Sequence, residues 1–214
     1  PFIDAGLDQV FCTGGSSITI GADPVTTIEG ATYSWSSGAS GTIDLSGGVQ
    51  DNGQTTVSPS TPTTHTLTVS NGGCSSTDNV IITIDNPPTG SNPNSISVQC
   101  AADIPLPDPS VVTDENDDIT IPPSVTFQGD QSNGQSCPET ITRTFRISDD
   151  CGNFIDVQQL IIINDTQAPV FNPAPAAVAV QCIGDVPAMI NLGYTDNCDP
   201  AGTVAGTDVS DGLS

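Results

Sequence analysis

The sequence predicts an all-β chain of tandem immunoglobulin-like β-sandwich domains, the last one truncated, and three observations predict it. The first is strict alternation: Ile141, Arg143, Phe145 and Ile147 share one phase of a two-residue period, and Thr142, Thr144, Arg146 and Ser148 share the other. The second is the spacing of short strand-like runs by Gly-rich turns, with no helical period anywhere. The third is a repeat. Ser97-Val98-Gln99-Cys100-Ala101-Ala102-Asp103-Ile104-Pro105 matches Ala179-Val180-Gln181-Cys182-Ile183-Gly184-Asp185-Val186-Pro187 at an offset of 82 residues, and Thr113-Asp114 falls on Thr195-Asp196.

A first domain spans residues 1–87. Gln9-Val10-Phe11-Cys12 and Ser17-Ile18-Thr19-Ile20 are short strands divided by Gly14-Gly15. Tyr33-Ser34-Trp35 puts both aromatics on one face, with Trp35 as the core residue of the third strand. Thr64–Val69 and Asn79–Ile84 form a closing hairpin around Asn71-Gly72-Gly73-Cys74. Asp85-Asn86-Pro87-Pro88 is a stiff linker into a second domain, residues 88–167. Its last hairpin joins Ile141–Ser148 to a strand ending in Leu160-Ile161-Ile162-Ile163, through Asp149-Asp150-Cys151-Gly152-Asn153. Residues 168–214 are the N-terminal part of a further repeat. Ser210-Asp211-Gly212-Leu213-Ser214 corresponds to Ser132–Ser136, so the chain is expected to stop in the middle of that repeat.

Two Lys or Arg residues stand against 25 Asp plus Glu, for a net charge of −23, and no lysine is present. Nucleic acid and insertion into membranes are poor expectations, because little here neutralises phosphates and no apolar run approaches the ~20 residues of a membrane helix. Charged residues make up only 13%, leaving a polar surface of Ser, Thr, Asn, Gln and Gly. Seven cysteines with no CxxC spacing, beside one histidine, favour an oxidising, extracellular compartment over zinc or redox chemistry.

Thr140-Ile141-Thr142-Arg143-Thr144-Phe145, Asp150-Cys151-Gly152-Asn153 and Asn164-Asp165-Thr166-Gln167-Ala168-Pro169 together resemble the HYR-like immunoglobulin-type repeats of large secreted surface proteins of Bacteroidetes-type bacteria, gliding adhesins among them. Residues 1–87 resemble the PKD-like or Ig-like domains of the same proteins through Asp4-Ala5-Gly6, Cys12, Tyr33-Ser34-Trp35 and the Thr/Pro run before His65, although the WDFGDG signature is absent. The resemblance implies export by type IX secretion to the surface of a gliding or surface-colonising cell. Partners would be further repeats of the same chain and a surface glycan or protein receptor that the sequence does not identify.

Strand geometry of an Ig-type sandwich places Cys100 and Cys137 at one end, so these two are expected to pair. Cys151 is expected to be a free thiol, since the position that Cys198 holds in the next repeat is Asn116 here. Cys12 pairs with Cys74 by elimination, and Cys182 and Cys198 are expected to find partners beyond Ser214. Reading Cys151 as a nucleophile fails, because Asp149 and Asp150 suppress a thiolate. His65 shares the strand phase of Leu67 and Val69, which marks a packed residue rather than a base. Asn164-Asp165-Thr166 is a lone glycosylation sequon in a linker, read as unmodified.

No catalytic constellation is visible, and the chain is read as a non-enzymatic stalk or adhesive segment. The rival reading is an accessory carbohydrate-binding or spacer region of a secreted polysaccharide-degrading enzyme; an aromatic content of 4% argues against exposed sugar platforms. Residues 88–167 hold 12 of the 25 acidic residues, clustered in loops that the sandwich places at one end. Asp114, Glu115, Asp117 and Asp118 follow the second strand, Asp149, Asp150 and Asn153 follow the sixth, and Asp85 enters from the linker. Asp165, Asp196 and Asp199 repeat the arrangement. Hard oxygens from three segments suit Ca²⁺, which is the cofactor expected at the domain junctions.

Overall fold

The computed structural model describes residues 3–21, 28–37, 43–44, 53–199, 201–207 and 209. Ser210–Ser214, which carry the end of the sequence repeat, lie outside them. The described residues are all-β, with three short 3-10 turns and no α-helix, and their strand order is that of immunoglobulin-like sandwiches. The chain divides into two compact units, the first made of Pro1–Ser91, Val112–Thr126 and Arg146–Val157, the second of Asn92–Val111, Phe127–Phe145 and Gln158–Ser214.

The first unit is built on β1 (Gln9–Cys12), β2 (Ile18–Ile20), β3 (Thr32–Ser37), β4 (Ile43–Asp44), β5 (Thr55–Val57), β6 (Thr63–Asn71) and β7 (Cys74–Asp85). One sheet has the order β1-β7-β6-β3 and the other β2-β5-β4. Period two decides the interior: Thr63, His65, Leu67 and Val69 of β6 point inward, and β7 answers with Val80, Ile82 and Ile84. Tyr33 is buried among them, and Trp35 packs half-buried against the same core with its Nε1 donating to Gly53 O at 2.9 Å. The β6–β7 turn is two glycines, Gly72 and Gly73, both at positive φ (57° and 87°), which gives the hairpin its tight two-residue connection. β7 begins five residues earlier than the sequence pattern suggests. Cys74–Asp78 pair with Asn71–Leu67, and most of these residues are exposed, so no alternation of apolar residues marks them.

β8 (Ile96–Val98), β9 (Ser124–Ser132), β10 (Glu139–Ser148) and β11 (Phe154–Ile163) form a sheet of order β8-β11-β10-β9, and β12 (Val170–Phe171), β13 (Leu192–Thr195) and β14 (Gly202–Val204) form another. Arg143, Phe145 and Ile147 of β10 are buried, as their shared phase predicts. In the second unit Phe145 meets Phe127 edge-on, with centroids 6.1 Å apart. Arg143 is drawn inward because Asp130 grips it with two hydrogen bonds of 2.9 Å and Pro105 O accepts a third. In each of the two four-stranded sheets the first strand in sequence runs parallel to the last: Cys12 lies opposite Asp85, and Val98 opposite Ile163.

The disulfides differ from the expected pairs. Cys12 bonds Cys151, across 139 residues, and Cys100 bonds Cys198, across 98. Cys12 cannot reach Cys74 because β1 delivers it beside Asp85, at the far end of β7 from Cys74; eleven residues of strand separate the two ends, about 36 Å. Cys74 is an exposed free thiol, and Cys151 is not free. Cys100 bonds Cys198 instead of Cys137, with Cα atoms 5.0 Å apart, and Asn197 Nδ2 donates to Cys100 Sγ. Cys198 therefore has its partner within the chain. Cys137 remains an exposed thiol, its Sγ 3.7 Å from Asp165 O and 3.8 Å from Asn164 Oδ1. Cys182 is exposed and free as well.

Candidate functional site

β7 runs one residue past its last inward isoleucine and ends on Asp85, which is 1% exposed. A carboxylate is buried there because the backbone pins it: β1 places Cys12 opposite, and Thr13 N donates to Asp85 O at 3.1 Å. The next residue turns outward, and Asn86 donates to Asp118 twice, from its N at 3.2 Å and its Nδ2 at 2.7 Å. Thr89 and Asn116 then exchange two backbone hydrogen bonds, of 2.8 and 3.0 Å, and Ser91 donates from N and Oγ to Asp114. Asn86, Thr89 and Ser91 thus each donate to an acceptor of the 114–118 loop.

That loop carries Asp117, 5% exposed, whose Oδ2 accepts from Ile119 N at 3.0 Å and Thr120 N at 2.6 Å. Thr120 Oγ1 takes Asp150 N at 3.1 Å, which draws in the turn of Asp149–Asn153, and Cys151 of this turn is bonded to Cys12. The result is a cluster of carboxylates in the first unit. Ligand oxygens of Asp85, Asp117 and Asp118 all lie within 4.8 Å of one another. Asp85 Oδ1, Asp117 Oδ1 and Glu115 Oε2 are buried without any hydrogen-bond partner.

Burial, then the charges of Asp117, Asp149 and Asp118, push the Asp85 carboxyl up to about 6. Asp118 lies below the usual carboxylate range because Asn86 donates to it, and Asp114 does so because of Ser91. No cationic side chain answers this charge. The sequence has two, Arg143 and Arg146, and each is held by another partner: Arg143 by Asp130, and Arg146 by Asp156 at 2.8 and 2.9 Å while stacked 3.6 Å over Phe154.

Of the acidic residues marked in the sequence, Asp85 and Asp117 converge with Asp118. Glu115 lies alongside in the same loop. Asp149 folds back on Asn153, accepting from its N at 2.8 Å and its Nδ2 at 2.9 Å, and Asp150 offers its backbone N–H. Asp114 is spent on Ser91. In the second unit Asp165 and Asp196 approach Cys198, and Asp196 Oδ1 accepts from Cys198 N at 2.9 Å and Asp199 N at 3.2 Å; these N–H groups lower the Asp196 carboxyl. Asp199 brings only its backbone. Cys12, Cys151 and Cys198 also approach carboxylates, but each sulfur is bonded to another and offers no thiolate. Sequence reasoning missed that Cys12 and Cys151 flank Asp85 and that Asn86 clamps Asp118. A short polar residue directly after a strand-ending aspartate is the signal that could have pointed to that clamp.

His65 is fully buried in β6, both ring nitrogens unpartnered, and burial lowers its pKa. It packs beside Leu67 and Val69 as a neutral ring.

Residues 88–163 match the family model of an HYR-like domain with 4 cysteines, 76 of the 214 residues. This chain has three cysteines there, Cys100, Cys137 and Cys151. No curated protein matches the chain. Among solved structures, three titin Ig domains (I67–I69, an E-to-A variant) align at 10% identity over 96% of each chain, with a TM-score of 0.43. Drosophila N-cadherin EC1-4 aligns at 12% over 75% of this chain and 48% of its own, TM-score 0.37, and protocadherin gammaB7 EC3-6 at 15% over 81% and 49%, TM-score 0.35. Overlaps this loose carry no argument, and the fold reading rests on strand order and on the family match. The chain contains an immunoglobulin-like repeat, with an HYR-like match over residues 88–163.

Proposed function

We propose that the chain is a non-catalytic stalk and adhesive segment of a long, secreted bacterial cell-surface protein. The observation that carries the reading is the pair of disulfides. Each joins cysteines more than one 82-residue repeat apart, 139 and 98 residues in the chain, and the two loops overlap. Cross-links of this kind limit how far tandem repeats extend when pulled, and they form in the oxidising space outside a cell. A surface poor in charge and rich in Ser and Thr, and the HYR-like match, support the same reading. Its partners are further repeats of the parent chain and a receptor on the colonised surface.

The test is deletion of residues 88–167 from the parent gene in the producing bacterium. Attachment to surfaces is expected to fall, with secreted polysaccharide hydrolysis unchanged. Unchanged attachment with lost hydrolysis would instead support an accessory region of a polysaccharide-degrading enzyme.

A further inference from the structure

We propose that Asp85, Asp117 and Asp118 hold a divalent cation of the calcium type at the end of β7. Two oxygens bound to one Ca²⁺ at about 2.4 Å can be no more than about 4.8 Å apart, and the ligand atoms of these three residues meet that limit mutually. Proximity alone would make only an acidic patch. The second observation is burial: Asp85 is 1% and Asp117 5% exposed, and Oδ1 of each is buried with no hydrogen-bond donor. An unpartnered buried carboxylate oxygen is costly unless a positive charge or a donor meets it.

The chain cannot supply that charge. Lysine is absent, Arg143 is committed to Asp130 and Arg146 to Asp156, and the single histidine is enclosed in β6 with no partner. Counter-charge has to come from solution. Two of the three carboxylates are already held in place by the surrounding chain. Asp117 Oδ2 is fixed by Ile119 N and Thr120 N, and both Asp118 oxygens accept from Asn86, so these two carboxylates are positioned before any ion arrives. An all-oxygen donor set next to a closed disulfide favours a hard cation over zinc. Three carboxylates leave coordination positions for water, as Ca²⁺ with six to eight ligands allows.

The inference does not depend on the stalk reading, because binding is measured on the isolated oxidised chain. Chelator-treated protein is titrated with CaCl2 by calorimetry and melted with and without the ion. Saturable binding is expected, with Tm raised by about 5 °C or more at a hundredfold excess over Kd. Asp85→Asn and Asp117→Asn are each expected to weaken binding at least tenfold. The ion-free Tm of Asp85→Asn should be no lower than that of the parent, since a buried charge has been removed. That readout separates a lost ligand from a damaged fold. Asp165→Asn, in the half-exposed cluster of the second unit, should leave this binding intact. No heat and no change in Tm, or calcium binding that survives both Asp85→Asn and Asp117→Asn, would overturn the proposal.

Discussion

Reducing the two disulfides should lengthen the mechanically unfolded chain by a distance the pairing fixes. In the oxidised, fully unfolded chain the taut path runs from the N-terminus to Cys12, crosses to Cys151 and continues to the C-terminus. The 139 residues between them drop out of the path. The Cys100–Cys198 loop overlaps this one and stays slack, because the 47 residues from Cys151 to Cys198 form a shorter route than doubling back through Cys100. At about 3.5 Å per residue, reduction therefore releases about 490 Å. Cys12→Ser leaves only the 98-residue loop, and its release falls to about 340 Å. Pairing inside each repeat, Cys12 with Cys74 and Cys100 with Cys137, would hide 62 and 37 residues, about 350 Å in all, and Cys12→Ser would then release only about 130 Å. Single-molecule pulling with and without reductant, on a chain whose Cys74, Cys137 and Cys182 are replaced by Ser, separates the two. A release near 350 Å in the parent would refute the pairing.

Phe145→Ala removes a fully buried ring and its edge-on contact with Phe127, and urea unfolding should show a loss of about 3–5 kcal/mol. Arg143→Ala should cost about 2 kcal/mol by the same assay, less than a wholly buried pair, because Asp130 is 32% exposed and can rehydrate. His65→Leu should stabilise by about 1–3 kcal/mol at neutral pH, since two unpartnered buried nitrogens give way to an apolar side chain of similar size. Its pH dependence has a definite sign. Burial lowers the folded-state pKa of His65, so the unfolded chain binds the proton first as pH falls through about 6.5. The parent then loses stability relative to His65→Leu below that pH; a gap in Tm that does not widen there would show that the ring is not held neutral.

Both hairpins were legible in the sequence because period two is a local signal. Leu67, Val69, Ile82, Phe145 and Ile147 sit inside as their phase requires, and Gly72-Gly73 makes the turn their chemistry allows. The start of β7 was hidden because Cys74–Asp78 are mostly exposed residues whose pairing is purely backbone. Disulfide partners were hidden for a different reason: bonds spanning more than one repeat depend on which loops meet in space, and sequence spacing favours neighbours. The acidic loops were visible as composition only. Asp114, Asp149 and Asn153 satisfy themselves within a few residues or on Ser91, whereas Asp85 reads as a linker residue and is carried inside by one more step of strand. Which carboxylates stay unpartnered is set by those local turns, and a count of acidic residues cannot rank them.

These repeats are proposed to stand outside the cell as part of a surface stalk. Antibodies raised against the purified chain, applied to intact and to lysed cells of the producing organism, test this. Intact cells are expected to be labelled, at a distance from the envelope in electron micrographs, and the label to be lost when external protease is added before fixation. Labelling that appears only after lysis would contradict it.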